Sequence, residues 1–306
     1  MMKQAGAVAA IAREGDDGAG SVVSKPLLKW AGGKRAQLAD ILPHVRDAIS
    51  RGTGRLFEPF AGGAAVTLAV GPQGGLLSDA LGDLMVLYRI VRDDPQSVHA
   101  QMTSLATRGT SKAAYLAVRA LRASDPTQAA ARLIYLNRVG FNGLYRTNRK
   151  GEFNVPHGKR ADGRDLEPAW PTMADFASAA RALSGVATRV DDWRGAIAST
   201  SKGDVIYADP PYEGCFTGYG PKWAVEDFDA LAETLHNLAR EGRYVIVSQP
   251  DAETTRKRYA WCPRIVEIAR PKGYAIGGKG ARRGATGELL CLGYAPVTRP
   301  NQNEVK

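Results

Sequence analysis

The sequence predicts an α/β fold: a mostly parallel sheet with helices between its strands, interrupted once by a long insertion. Three observations lead there. Apolar runs at 55–59, 76–79, 187–193, 204–211 and 243–249 have the length of buried strands. Segments between them carry helical spacing, most clearly Phe228, Leu231, Leu235 and Leu238. And more than 100 residues separate the second run from the third, too many for one crossover helix.

The elements follow in order. Residues 1–24 lack apolar periodicity and read as a disordered tail; their Ala-rich patch is broken by Arg13, Glu14, Asp16 and Asp17 before a signal-peptide core could form. RLFEP begins the sheet, and the small residues of AGGAA open a helix through Val66 and Leu68. LLSD is the second strand. The insertion then starts with helical patterns (LMVLYRIV, AAYLAVRALRA, AAARLIYLNRV) and continues as FNGLYRTNRKGEFNVPHGKR, rich in Asn, Gly, Arg and aromatics. There LYRTN and EFNVP flank Arg149-Lys150-Gly151, a hairpin tip. ATRVDDW and DVIYADPP are strands three and four. The helix after them stops at Gly242. RYVIVSQ is strand five, and RIVEIAR and ELLCLGYA close the sheet across a Gly/Lys/Arg-rich loop at 271–287. The expected organisation is a tail (1–24), one catalytic domain in two pieces (25–85 and 186–298), an inserted domain (86–185) and a short C-terminal tail (299–306).

Composition narrows the function. With 44% hydrophobic and 24% charged residues the 306-residue chain is neither collagen-like nor wholly disordered. No apolar run approaches the ~20 residues of a membrane span. Cys215, Cys262 and Cys291 are far apart and form no CxxC pair, which argues against a disulfide framework or structural zinc and fits a reducing cytoplasm. No metal-ligand spacing is present. A net charge of +10 favours polyanionic partners.

Four constellations carry chemistry. Asp209-Pro210-Pro211-Tyr212 ends a buried strand, where ligands of open α/β sheets bind. The prolines fix the backbone and remove two donors, which leaves their carbonyls as uncontested acceptors. A carboxylate, a carbonyl and an aromatic ring at one spot suit a planar amino group: Asp209 and the Pro210 carbonyl each accept one N–H while Tyr212 stacks on the ring. Glu58-Pro59-Phe60-Ala61-Gly62-Gly63 lets a ligand approach a strand-to-helix turn, and Asp79 stands 17 residues after Gly62, where an acid binds ribose hydroxyls. There is no GxGxxG, so a dinucleotide is not favoured. In Lys29-Trp30-Ala31-Gly32-Gly33-Lys34, the Trp30 ring could cover a ligand and Lys34 could pair with a carboxylate. Between Asn137 and Arg160, arginines and asparagines alternate with Phe141, Tyr145 and Phe153, side chains suited to phosphates, base edges and wedging. Taken singly, each also reads more plainly: a proline turn with a capping acid, a tight turn, a surface segment with an anchoring Trp, a solvated basic hairpin.

Together and in this order, KWAGGK, EPFAGG, LLSDALGDLMVLYRIV, LNRVGFNGLYRTNRKGEFNVPHG, DVIYADPPY, VIVSQPD and TGELL resemble the Dam-like, alpha-group DNA adenine N6-methyltransferases, from Leu27 to about Pro296. The resemblance implies a Rossmann-like seven-stranded methyltransferase sheet with an inserted helical and β-hairpin target-recognition domain. It implies transfer of methyl from S-adenosylmethionine, leaving S-adenosylhomocysteine, to N6 of a flipped-out adenine in double-stranded DNA. Asp209, Pro210, Pro211 and Tyr212 would then be catalytic. Trp30, Lys34, Phe60, Gly62, Asp79, Asp192 and Asp209 would contact the cofactor, with Lys34 on the methionine carboxylate and Asp192 or Trp193 near the adenine. Lys29, Asn142, Leu144, Arg146 and Pro156 match base-contacting or wedging positions of GATC-specific members, and Arg138, Asn148 and Lys159 are expected on phosphates. A monomer, with no metal and no membrane, suits that chemistry. Three departures stand out: Ala64 where many relatives carry Gly, Leu81 after the ribose acid, and a short EGCFTGYGPKW loop. Cytosine N4 is the chemically nearest alternative target, since the same acceptor pair would suit it; a catalytically silent DNA-binding relative is the other.

Overall fold

A computed structural model describes residues 24–213, 223–269 and 287–295. The N-terminal tail but for Ser24, Cys215 with most of the loop after Tyr212, nearly all of the 271–287 loop and the C-terminal tail lie outside the described residues.

The elements are α1 (Leu38–Arg51), β1 (Arg55–Glu58), α2 (Ala65–Val70), β2 (Gly74–Asp79), α3 (Gly82–Asp93), α4 (Pro95–Ala106), α5 (Lys112–Ala120), α6 (Pro126–Val139), α7 (Met173–Leu183), β3 (Val186–Val190), α8 (Trp193–Ala198), β4 (Val205–Ala208), α9 (Val225–Arg240), β5 (Tyr244–Pro250), α10 (Glu253–Arg258), β6 (Arg264–Ala269) and β7 (Gly287–Leu292). The seven strands form one sheet in the order β3-β2-β1-β4-β5-β7-β6. All neighbours are parallel except β7, which runs antiparallel between β5 and β6. All seven strands lie where the sequence predicts them.

The central strands read as unbroken apolar runs because both faces are covered. Successive residues point to opposite faces. Leu56, Val205, Tyr207 and Ile246 pack in one apolar cluster, and Phe57, Ile206, Ala208, Val245 and Val247 in another. α1 lies over the first cluster through Ile41, Val45 and Ala48; α9 lies over the second through Leu231 and Leu235.

The helices of the long connection between β2 and β3 build no separate core. Tyr88 of α3, Met102 of α4, Leu136 of α6 and Phe176 of α7 share one cluster with Leu68 of α2, Leu77 of β2 and Trp30. Several of these helices begin at built starts: Asp94 before Pro95 and Asp125 before Pro126 each accept a backbone N–H from the first turn, and Thr172 with Asp175 forms a capping box. The hairpin also forms. Thr147 bridges Phe153, the Asn148 N–H donates to the Glu152 carbonyl (2.9 Å), and Gly151 turns the chain at φ +77°.

Candidate active site

Every parallel strand that contributes to the site does so at its C-terminal end. β1 is flanked by β2 on one side and β4 on the other, with chain order running outward in both directions. This is the switch point at which open α/β sheets form a crevice. Asp79 leaves β2 on one side of it, and Asp209 leaves β4 on the other. Because β7 is antiparallel, its first residues reach the same edge, which brings Glu288 there.

The β1 turn is held from three directions. The Glu58 carboxylate is buried beneath α2 and accepts from the Thr67 N–H (3.1 Å) and hydroxyl. Burial pushes its pKa up to about 8, against the pull of the two Thr67 bonds. Gly62 donates its N–H to Asp79 (3.0 Å), and its carbonyl accepts from the buried Tyr88 hydroxyl (2.7 Å). At φ +44° Gly62 is in the left-handed region, and a Cβ there would lie 2.8 Å from the Trp30 ring. Only glycine fits beneath that ring, so the turn and Trp30 pack directly on one another. Asp79 also accepts from Leu81 N–H (3.0 Å), so both its oxygens are oriented by backbone donors. Burial raises its pKa while those N–H groups pull it down. Trp30 is buried against Gly62 and Gly63, with its ring 5.9 Å from that of Tyr145. Phe60 faces Trp223 (5.6 Å between rings), and Trp223 in turn faces the buried Trp193 (6.4 Å). Asp192 stands apart: exposed, it caps α8 through the Arg194 N–H (2.9 Å).

On the other side, Lys34 is 3% exposed and its ammonium sits among oxygens. It donates to both Asp209 oxygens (2.7 Å each), the Tyr212 hydroxyl (2.9 Å) and the Gly32 carbonyl (3.1 Å), and lies 3.2 Å from Glu288. Burial opposes its charge, but Asp209 and Glu288 outweigh that, and its pKa is raised. Burial likewise pushes Asp209 up to about 6; Lys34 pulls it down and Glu288 adds to the rise. Pro210 is buried and Pro211 and Tyr212 half-buried at the mouth.

The structure corrects one expectation. The Pro210 carbonyl is contested: the buried Gln249 amide of β5 donates to it at 3.1 Å. A carbonyl has two lone pairs, so one acceptor position remains.

Part of the expected DNA-facing set gathers around a single buried side chain. Asn137 accepts from the Lys29 N–H (2.8 Å) and donates to the Lys29 and Gly143 carbonyls (2.7 and 2.8 Å). That ties the Lys29–Lys34 segment to the loop bearing Asn142 and Leu144. The Phe141 N–H donates to the Pro156 carbonyl (2.9 Å), which brings Pro156 alongside. Phe141 is 46% exposed, and Asn142 holds φ +53°. Partial burial of the ammonium and the Arg138 charge lower the Lys29 pKa. Arg146 is exposed and braced on Asn154 through Nε (2.8 Å). The other three have local partners. Arg138 donates to the Leu27 and Ala169 carbonyls. The Asn148 oxygen accepts from the Lys150 and Glu152 N–H groups and closes the hairpin turn. Lys159 pairs with Asp165 (2.7 Å).

Gln249 and Glu288 were not singled out by sequence, and Asn137, read there as one of the DNA-facing asparagines, is instead a buried tie between two loops. One signal was present: a charged Glu288 heading the apolar run ELLCL, where burial demands a partner.

Comparison with known proteins agrees with this architecture. The family model described as "D12 class N6 adenine-specific DNA methyltransferase" matches residues 30–270. The chain is 28% identical over 283 residues to the type II methyltransferase M1.LlaDCHI of Lactococcus lactis subsp. cremoris, covering 88% of this chain and 95% of that one. It is 32% identical over 281 residues to a DNA adenine methylase of Vibrio cholerae serotype O1, with the same coverage. It is 32% identical over 286 residues to that of Salmonella typhimurium, covering 90% and 98%.

Proposed function

We propose a mechanism from one premise: this chain belongs to the D12 class N6 adenine-specific DNA methyltransferases. It is an adenine-specific DNA methyltransferase. The donor is S-adenosylmethionine, which when bound supplies a sulfonium-activated methyl group. The residues present fit such a group. Gly62 seats the Trp30 ring beside the turn, Asp79 offers oriented oxygens for ribose hydroxyls, and Phe60, Trp193 and Trp223 form an aromatic wall. Lys34 has one weakly held donor, that on Gly32, to turn toward the methionine carboxylate.

Asp209 carries the reading. The target adenine must leave the duplex to reach it. The amino lone pair is delocalised into the ring, so N6 is a poor nucleophile. Accepting its two N–H bonds at Asp209 and at the remaining Pro210 lone pair favours a pyramidal nitrogen and stabilises the positive charge that develops there. Tyr212 stacks on the ring and fixes the line of approach. After transfer N6 carries one proton too many, and the Asp209 carboxylate is placed to hold it on its way to solvent. Lys29, Asn142, Leu144, Arg146 and Pro156 would read or wedge bases; Arg138, Asn148 and Lys159 would position the backbone. The 86–185 segment is then the target-recognition unit, the site is GATC, and the enzyme works as a monomer beside its DNA in the cytoplasm. Incubation with labelled S-adenosylmethionine and unmethylated DNA of known sequence, followed by nucleoside analysis, tests this. N6-methyladenine within GATC is expected; N4-methylcytosine alone would overturn the adenine assignment.

A further inference from the structure

Glu288 heads β7, opposite Pro250 on β5 and Ile268 on β6, and is 2% exposed. The residues that follow it, Leu289, Leu290, Cys291 and Leu292, are apolar and buried. A carboxylate in this setting is strongly unfavourable unless every lone pair finds a partner. Here they do. One oxygen accepts from the Tyr212 hydroxyl (3.0 Å) and from Ser248 of β5, and lies 3.2 Å from the Lys34 ammonium; the other accepts from Gln37. The sheet would form as well with an apolar residue at this place, so its presence is explained by what it holds.

Two of those partners belong to the catalytic cluster. The Tyr212 hydroxyl receives a hydrogen bond from Lys34 and gives one to Glu288. The ring is therefore fixed at its outer end by a group on another strand. Lys34 is held by Asp209 on one side and Glu288 on the other. Asp209 must turn lone pairs toward an incoming amine. If it were the sole counter-charge of a buried ammonium, that turn would leave the ammonium poorly paired.

We propose that Glu288 is a positioning residue for methyl transfer: it aims the Tyr212 ring and remains the partner of Lys34 while Asp209 engages the adenine amine. This rests on Asp209 being the amine acceptor. Among the described residues, the charged and titratable groups that face Asp209 are Lys34, Glu288 from β7, Glu58 from β1, Tyr207 from β4 and Tyr212. Removing the Glu288 charge takes away a repulsion that raises the Asp209 pKa, so the acidic limb of the kcat/KM profile must move to lower pH.

The test uses Glu288→Gln in the full chain, with thermal melting to check folding. The expected result is a kcat at least tenfold lower, an acidic limb displaced downward, and a DNA Kd within about threefold of wild type. Tyr212→Phe leaves the carboxylate in place and removes only the hydroxyl it holds; it should lower kcat in the same direction. In the Tyr212→Phe background, the further loss on Glu288→Gln should shrink, because the shared contact is already gone. Wild-type kcat and pH profile in Glu288→Gln would overturn the proposal, as would wild-type kcat in Tyr212→Phe if Glu288→Gln fails to fold. Asp209→Ala separates this from the reading beneath it. If Asp209→Ala still transfers methyl, the amine-acceptor assignment fails; if it is silent while Glu288→Gln is unimpaired, only the role of Glu288 fails.

Discussion

Asp209 and Glu58 are two carboxyl groups at adjacent strand ends, and their surroundings give them opposite tasks. Asp209 touches the Lys34 ammonium with both oxygens, so its pKa of about 6 leaves it ionised at neutral pH. The amine needs that ionised form. The kcat/KM should therefore be flat above about pH 7 and fall tenfold per unit as pH drops below about 6; a limb below pH 4 in a stopped-time methylation assay would contradict the assignment. Asp209→Ala should abolish transfer while DNA binding survives. Glu58, with its pKa near 8, is protonated at neutral pH and serves as a neutral brace for Thr67. Its folded-state pKa lies above its ordinary value of 4.5, so its contribution to stability is complete below that value and is lost as pH rises through about 8. Glu58→Gln keeps the acceptor and removes the titration. It should melt at or above wild type at pH 8, with the gap narrowing toward pH 5. Glu58→Ala orphans two buried donors and should cost about 1–3 kcal/mol by urea denaturation.

At the scale of elements, the α2 entry shows how a departure from the family pattern is tolerated. Ala64 takes φ +51°, the left-handed region that its more usual glycine occupies freely. That costs a residue with a Cβ about 1–2 kcal/mol, partly offset by burying its methyl group. Ala64→Gly should thus melt no lower than wild type, whereas Ala65→Gly, one residue on and helical, should lose about 1 kcal/mol. The central strands were legible because both faces are apolar, and all seven because each run ends at a Gly, Pro or Asp. The hairpin was legible through its turn residues. α1 was not, since Pro43 interrupts a pattern that Ile41, Leu42, Val45 and Ala48 otherwise make amphipathic. The capped starts of α4 and α7 were present in sequence, but weak apolar spacing around them hid the helices. In the site, the places of Asp79 and Asp209 could be read because each follows from an apolar run that ends there. The structural roles of Asn137, Gln249 and Glu288 could not. Each acts through a partner 108, 39 or 76 positions away, a relation that only the folded sheet creates.

For the whole molecule, the positive charge is unevenly spent. Residues 138–160 hold six basic side chains against the single acid Glu152, half of the chain's net +10. The fold divides these six into classes. Arg138 is turned onto backbone carbonyls, and Arg146 is braced by Asn154. Lys159 and Arg160 are paired with Asp165 and Glu167. At the hairpin tip, Arg149 and Lys150 are exposed and meet no carboxylate among the described residues. Counterion release on binding depends on charges that are unneutralised in the free protein, with log K falling by about 0.9 per phosphate contacted for each unit of log salt. Each tip charge removed, as in Arg149→Ala or Lys150→Ala, should reduce that slope by about 1 and weaken binding equally on all sequences. Lys159→Ala should change it less, because Asp165 already holds that ammonium. Arg146 differs in kind: with its guanidinium set by Asn154 rather than free to follow a phosphate, Arg146→Ala should relax sequence preference more than it lowers the salt slope. Fluorescence anisotropy across a salt series, on a GATC duplex and on a scrambled one, separates the two effects. Equal losses on both duplexes for Arg146→Ala would show that its contact is to the backbone alone.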